Sequence, residues 1–314
     1  MIALVLGASG FIGSKLVSRL LQQGVHVRLV TRSDNLAYLS SNEQVEIIKM
    51  DLLDRTAPFD EIINGCNVIF NCAGELKNIN RMRGLHVKVV QNMINACQRL
   101  SLKSNCSIHW VQLSSVGAYG KGDGRCRVVT EETVTNPHGE YEITKTDADK
   151  IIMSSEGSFT WSILRPSNVY GPGMPNNSLR QLAKIISKRL FFYIGFHRSI
   201  ATYVHVDDVV SALILCASDQ RAKNQVFNVS NDCYLDRVIN AIASYYSVSI
   251  PRIRLPIPLV RCLVFIVSRV VSLPINQERI NALVSRTRYP TSKIEAVLDF
   301  SPSKALDSNI EDIF

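Results

Sequence analysis

Tyr141 and Lys145 stand four apart at the start of a stretch with helical character, so their side chains share one helix face. An ammonium beside a phenol favours the phenolate and lowers its pKa. A phenol tuned in this way can pass a proton to or from a carbonyl or hydroxyl oxygen. Tyr-x-x-x-Lys alone is common in unrelated chains. It acquires meaning here from two further features. One is the Ser pair Ser114-Ser115 at the end of an apolar run, and the other is a glycine motif near the N-terminus.

That motif is Gly7-Ala8-Ser9-Gly10-Phe11-Ile12-Gly13, and it follows the strand-like run Ile2-Ala3-Leu4-Val5-Leu6. Gly7 permits a tight turn, Gly10 lets backbone approach a pyrophosphate, and Gly13 lets a helix pack on the strand. The helix N-terminus then presents unpaired N–H groups and a positive dipole end to the anion. Its place between strand and helix makes this a dinucleotide site. The next strand-like run ends at Val30-Thr31-Arg32-Ser33. An acidic residue there would take the ribose 2′-hydroxyl of NAD. Arg32 suits a 2′-phosphate, with Ser33 as a helper, so NADP is favoured over NAD.

The elements that must position these groups follow from the alternation of apolar and helical patterns. Strands are expected at 2–6, 25–30, 45–49, 68–71, 108–113 and 160–164, and helices at 11–23, 85–100 and 141–155. This alternation predicts an α/β fold, a Rossmann-type doubly wound parallel sheet. The dinucleotide-binding domain is expected over 1–165, with the sheet completed by about 203–230. After Arg165-Pro166 the texture changes to loops, short elements and prolines. A smaller C-terminal substrate-binding lobe is expected to take up most of 166–314.

Composition is that of a globular chain: 46% hydrophobic and 20% charged in 314 residues. The net charge is +8, but Lys and Arg are scattered without a run, which argues against nucleic acid and for an anionic small substrate. None of the eight Cys pairs as C-x-x-C, and no His stands at a zinc-like spacing. Free thiols and a reducing, cytoplasmic location are expected, with no metal. The chain opens directly on a strand, without the pattern of a signal peptide. No membrane span is expected. The apolar stretch 259–273 carries Arg261 and Arg269, with Ser268 and Ser272 nearby, and reads as an amphipathic helix. It either packs on the protein or lies against a membrane surface.

With these motifs in one order, the chain resembles the extended short-chain dehydrogenase/reductases, the NAD-dependent epimerase/dehydratase family. The resemblance runs along nearly the whole chain. Beyond the glycine motif it includes Asp51-Leu52, Asn71-Cys72-Ala73-Gly74, Ser114 to Gly120, Thr130-Glu131-Glu132 and Tyr141…Lys145. It continues through Arg165 to Pro172, Val204-His205-Val206-Asp207-Asp208, Ser292-Lys293 and Leu298 to Pro302. The resemblance implies that Tyr141 is the general acid/base and that Lys145 holds the nicotinamide ribose. Ser115 would hydrogen-bond the reacting oxygen. Asp51 and Leu52 would flank the adenine, and Ala73 and Gly74, after Cys72, would line the cofactor channel. Pro166 to Val169 would approach the nicotinamide amide, with Asn168 reaching a substrate diphosphate. His205 and Asp207 match a sheet-to-helix junction and read as structural, and Glu131-Glu132 reads as a solvated loop. A homodimer through helices 85–100 and 141–155 is also implied.

The sequence departs from the family pattern in three places. The dehydratases carry Asp-Glu after the catalytic Thr, where this chain has Val116-Gly117, so dehydration is not expected. His86 and Val89 replace an Asn and a Gly at the helix after the fourth strand, where backbone packing is expected to differ. Ala201 replaces an Arg that grips a diphosphate, so Arg198, with Arg286 or Arg288, is the candidate grip. The reading that follows is an NADP-favouring oxidoreductase acting at C4 of a nucleotide-linked sugar, by 4-keto reduction or 4-epimerisation. One alternative is a reductase or dehydrogenase of a hydrophobic alcohol or ketone, like the 3β-hydroxysteroid dehydrogenases, motivated by Ala201 and the apolar stretch 255–273. The other is a non-catalytic NADPH-binding scaffold.

Overall fold

A computed structural model describes residues 1–314 apart from 33, 105–106, 123–125, 156–158 and 268–276, and apart from the side chains at 35, 103–104, 266–267 and 278. The expected contributions of Ser33, Ser268, Arg269 and Ser272 therefore lie outside the described residues.

Seven strands among the described residues pair into one parallel sheet. They are β1 (Ile2–Leu6), β2 (His26–Thr31), β3 (Val45–Lys49), β4 (Val68–Asn71), β5 (His109–Leu113), β6 (Thr160–Pro166) and β7 (Gln225–Val229). Their spatial order is β3-β2-β1-β4-β5-β6-β7. The order reverses between β1 and β4, and a crevice outside the carboxyl ends of the strands is expected there. Register brings those ends level: Leu6 pairs with Val30 and Asn71, Asn71 with Gln112, and Leu113 with Leu164.

The strands are apolar on both faces because both faces are covered. Ala3 and Val5 point to one side and Leu4 and Leu6 to the other. On the first side, helix α1 (Phe11–Gln22) supplies Leu16, Val17 and Leu20 to the core. On the other, α2 (Val89–Ser104) and α3 (Glu140–Met153) supply Val90, Met93, Ile94, Ala148 and Ile152. The expected helix at 85–100 has a different start: Gly84–Lys88 is wound as a π-helical turn before α2. The departures from the family pattern at 86 and 89 fall at this turn.

The C-terminal lobe packs α4 (Ser178–Ser187) against α6 (Leu235–Tyr245) through Leu179, Ala183, Ile186, Val238, Ile239 and Ile242. Between them in the chain, α5 (Val206–Ser218) returns to the sheet and buries Val209, Val210 and Leu213 against its first face. A smaller cluster joins α7 (Ile257–Val267) to α8 (Gln277–Leu283) through Val260, Val264 and Ile280. Helix α9 (Ser292–Leu298) closes the first face with Ile294 and Leu298. Of the helix expected over 259–273, the part up to 267 is helical and the rest lies outside the described residues. No described helix is long and apolar enough to cross a membrane.

Candidate active site

Backbone packing dictates Gly7 and Gly13 of the N-terminal motif. Gly7 has φ +76°, and a Cβ there would lie 2.7 Å from the Ala73 backbone. A Cβ on Gly13 would lie 2.1 Å from the Gly7 carbonyl oxygen, so only glycine lets α1 start so close to β1. Gly10 caps α1 with no side-chain hydrogen bond, and the first turn holds no acidic residue. The helix start is therefore open to an anion.

From this point a cleft of about 810 Å³ runs along the carboxyl ends of the strands. It passes Ser9, Gly10, Phe11, Ile12 and Gly13, then Cys72, Ala73 and Gly74, and reaches Ser115, Tyr141 and Lys145. Pro166, Asn168 and Val169 form its far wall. Asn71 shapes the turn after β4, where its Oδ1 accepts from the Ala73 N–H at 3.3 Å and its amide donates to Gln112 at 2.9 Å. The glycine-bound helix start, the length of the cleft and the Tyr–Lys pair at its end fit a nicotinamide dinucleotide.

Arg32, Asp51 and Leu52 stand beyond the ends of β2 and β3 rather than in the wall of this cleft. Asp51 pairs with Arg81 at 2.6 Å and accepts from the Leu53 N–H at 3.1 Å. Burial pushes the Asp51 carboxyl up, but those bonds and the charges of Arg81 and Arg32 outweigh it and hold the carboxyl below its usual range. Arg32 itself is exposed.

A second cavity, of about 570 Å³, lies on the lobe side. Ser115, Tyr141, Ser167 and Asn168 line both cavities, so the two meet at the Ser115–Tyr141 pair. Ser115 caps the short turn Val116–Tyr119, its Oγ accepting from the Gly117 N–H at 3.1 Å. Lys145 is buried and donates to the Leu113 carbonyl oxygen. Burial, then the carboxylates of Asp149 and Glu142, push the Tyr141 phenol up to about 12. This corrects the expectation of a lowered pKa. Lys145 is turned toward the end of β5, and its charge is offset by buried Asp149, so the phenol keeps its proton.

Asp149 belongs to a buried chain behind the site. It accepts from Ser114 at 2.8 Å and pairs with Arg165 at 3.0 Å. Arg165 donates to the Tyr119 hydroxyl at 3.0 Å, which donates to Asn228 at 2.9 Å. Glu131 completes it by accepting the Asn228 N–H at 2.7 Å. Glu131 is thus no solvated loop residue: it ties the loop to β7, and burial raises its carboxyl. His205, by contrast, is structural as expected. It is buried, and its Nδ1 accepts from the Asp207 N–H at 3.1 Å at the start of α5.

Of the expected substrate residues, Asn168 lines the cavity and donates to the Thr202 carbonyl oxygen at 3.0 Å. The structure does not bring Arg198 there. Its guanidinium forks onto Asp236 at 3.0 Å and stacks on the Tyr234 ring, outside the cavity lining. Arg286 is likewise absent from the lining, which holds its neighbours Ser285 and Thr287. Three charged side chains overlooked in the sequence do line it: Lys121, Arg261 and Glu142. Arg261 enters from α7 and donates to Asn281 at 2.9 Å. Glu142 enters from α3 and accepts the His138 N–H at 2.8 Å. Gly117 makes room for it, since a Cβ there would lie 3.0 Å from Glu142 Cγ. Glu142 was legible in principle, standing next to Tyr141. Arg261 reads in sequence only as an interruption of an apolar helix.

The family model of the NAD dependent epimerase/dehydratase family matches residues 3–230. Among curated proteins, short-chain dehydrogenase/reductase family 42E member 1 of Homo sapiens is 26% identical over 300 residues, covering 85% of this chain and 73% of the relative. UDP-glucose 4-epimerase of Vibrio cholerae is 22% identical over 276 residues, covering 82% and 78%. Among solved structures, UDP-glucuronic acid 4-epimerase from Bacillus cereus in complex with NAD superposes with a TM-score of 0.74 at 19% identity, covering 99% of this chain and 97% of that one.

Proposed function

The chain belongs to the NAD-dependent epimerase/dehydratase family, and we propose that it transfers hydride at C4 of a nucleotide-linked sugar, with 4-keto reduction as the net reaction and 4-epimerisation as its near variant. The observation that carries this reading is the meeting of the cofactor cleft and the lobe cavity at Ser115 and Tyr141. A sugar carbon held there would stand between a hydride donor and a phenol. The dinucleotide, when bound, supplies the nicotinamide C4 that gives or accepts hydride. The chain's own part is positional and protic. Ser9 to Gly13 would hold the pyrophosphate, Cys72 to Gly74 and Pro166 to Val169 would confine the nicotinamide end, and Lys145 would hold its ribose. Ser115 would orient the sugar oxygen, and the protonated Tyr141 would deliver its proton to that oxygen as the C–H bond forms.

Asn168 and Arg261 are the groups we assign to the substrate diphosphate, Arg261 taking the part left vacant by buried Ala201. The finer cofactor choice, NADP over NAD, rests on Arg32. A homodimer through α2 and α3 and a cytoplasmic location extend the reading; the free cysteines accord with the latter. Sedimentation at micromolar concentration tests the dimer, and a monomer there removes it.

The decisive assay supplies a 4-keto sugar nucleotide and NADPH. One NADPH consumed per sugar reduced supports the reductase, and interconversion of the two 4-hydroxy epimers of a sugar nucleotide, supplied in place of the ketone, without net cofactor change supports the epimerase. Arg261→Ala is expected to raise KM at least about tenfold with a smaller change in kcat. A second reading, reduction of an apolar ketone, draws on the Val116, Ala282 and Val284 part of the cavity wall. Failure of uridine diphosphate and other nucleoside diphosphates to bind would leave that reading in place of the first.

A further inference from the structure

Residues 157–206 and 237–277 contain no Asp or Glu. They hold eleven of the chain's 35 Lys and Arg and none of its 27 acids, so the rest of the chain is net negative. Ten of those eleven cations follow Arg165 of β6 in the chain, and Arg269 among them lies outside the described residues. The fold joins the two stretches at one point, where Tyr193–Ile194 pairs in parallel with Arg254–Leu255. Gly195 then abuts the start of α7, where an added Cβ would lie 3.1 Å from Ile257.

The same region exposes large apolar side chains. Leu190, Phe196 and Ile253 are 66–68% exposed, and Leu259 and Leu263 are 47–48% exposed. Helix α7 buries Val260 and Val264 against Ile194 and Ile280, yet turns Leu259, Cys262 and Leu263 outward. A helix apolar on its outer face as well as its inner one is normally covered. Exposed Lys188, Arg189 and Arg252 stand among these residues in the two stretches.

We propose that this face docks on an anionic phospholipid bilayer, with Leu190, Phe196, Ile253, Leu259 and Leu263 entering the headgroup boundary and Lys188, Arg189 and Arg252 meeting lipid phosphates. Charge decides the occupant. A second copy seated on the same patch would set the exposed Lys188, Arg189 and Arg252 of two copies against one another, which like-charge repulsion opposes. Aliphatic and aromatic side chains amid cations match a negatively charged lipid surface, where apolar insertion and charge attraction add. The proposal does not depend on the identity of the substrate.

Co-sedimentation of the full chain with large vesicles tests it. Vesicles of phosphatidylcholine with phosphatidylglycerol are expected to pellet the protein, at least about tenfold more than phosphatidylcholine alone, with the difference lost at high salt. Phe196→Ser with Leu263→Ser, and separately Lys188→Glu with Arg189→Glu, should each abolish the pelleting while leaving the circular dichroism and Tm unchanged. Equal pelleting on neutral vesicles, no pelleting on anionic ones, or unaltered binding by both variants overturns the proposal. So does self-association in sedimentation velocity that Phe196→Ser with Leu263→Ser removes, which would assign the face to a second copy.

Discussion

The Nδ1 atom of His86 lies 2.8 Å from the Thr144 hydroxyl, while its Nε2 accepts the Glu75 N–H at 2.9 Å. Thr144 donates its own proton to the Glu140 carbonyl oxygen at 2.7 Å, so its lone pair receives Nδ1–H. The ring is therefore neutral with its proton on Nδ1. It joins the loop after β4, which lines the cofactor cleft, to the helix that carries Tyr141 and Lys145. It also meets the Tyr141 ring edge-on at 5.6 Å between centroids. His86→Ala would take the acceptor from the Glu75 N–H, remove the donor to the Thr144 hydroxyl and open a cavity beside the phenol. A loss of about 2–4 kcal/mol in urea unfolding is expected, with kcat falling more than KM rises. Wild-type stability and kcat in this variant would refute the link.

The pH dependence of stability follows from the same ring. Burial, aided by the Lys145 charge, pushes His86 down to about 3, and burial pushes His109 down to about 4. Unfolded, both take up protons near pH 6.5. Their contribution is complete above that value and is lost as pH falls through the window. Between pH 6.5 and about 4 each histidine should cost up to about 1.4 kcal/mol per pH unit. Tm measured across this range should fall steadily, and a flat profile would contradict the buried neutral state of both rings.

Tyr141→Phe keeps the ring packed against His86 and removes only the acidic proton. Turnover should fall by about two to four orders of magnitude with dinucleotide affinity nearly unchanged. Lys145→Met should weaken dinucleotide binding as well, since Lys145 reaches into the cleft wall. Equilibrium binding set beside kcat separates the two roles.

Arg32→Asp tests the cofactor proposal. If Arg32 meets a 2′-phosphate, the substitution should cut NADPH affinity at least about tenfold and improve NADH relative to it. An unchanged ratio of the two dissociation constants would show that Arg32 serves only to offset Asp51.

The site was legible in the sequence wherever chemistry depends on local spacing. Gly13 is dictated by the Gly7 carbonyl six residues before it and Gly7 by the left-handed turn it makes, with the Ala73 backbone pressing on it from after β4. Tyr141 and Lys145 are set by one helical turn. Ser115 follows from the end of a strand whose apolar run is plain. Less legible was everything decided by partners far along the chain. His86 reads as a departure from the family pattern until Glu75 and Thr144 close on it. Glu131 reads as solvated until the Asn228 N–H appears against it.

The sequence by itself determined the parallel sheet, the dinucleotide cradle and the Ser–Tyr–Lys set, because strand and helix periodicity and short-range sterics are written into neighbouring residues. Only the tertiary structure decided how the set is charged and what surrounds it. It turned Lys145 toward Leu113 and Asp149, so that Tyr141 keeps its proton. It carried Arg198 away to Asp236 and brought Arg261 and Glu142 in. It also joined two acid-free stretches at one point, where Tyr193–Ile194 pairs with Arg254–Leu255. Each of these depends on burial and on charges distant in sequence, and neither quantity is a property of a local pattern.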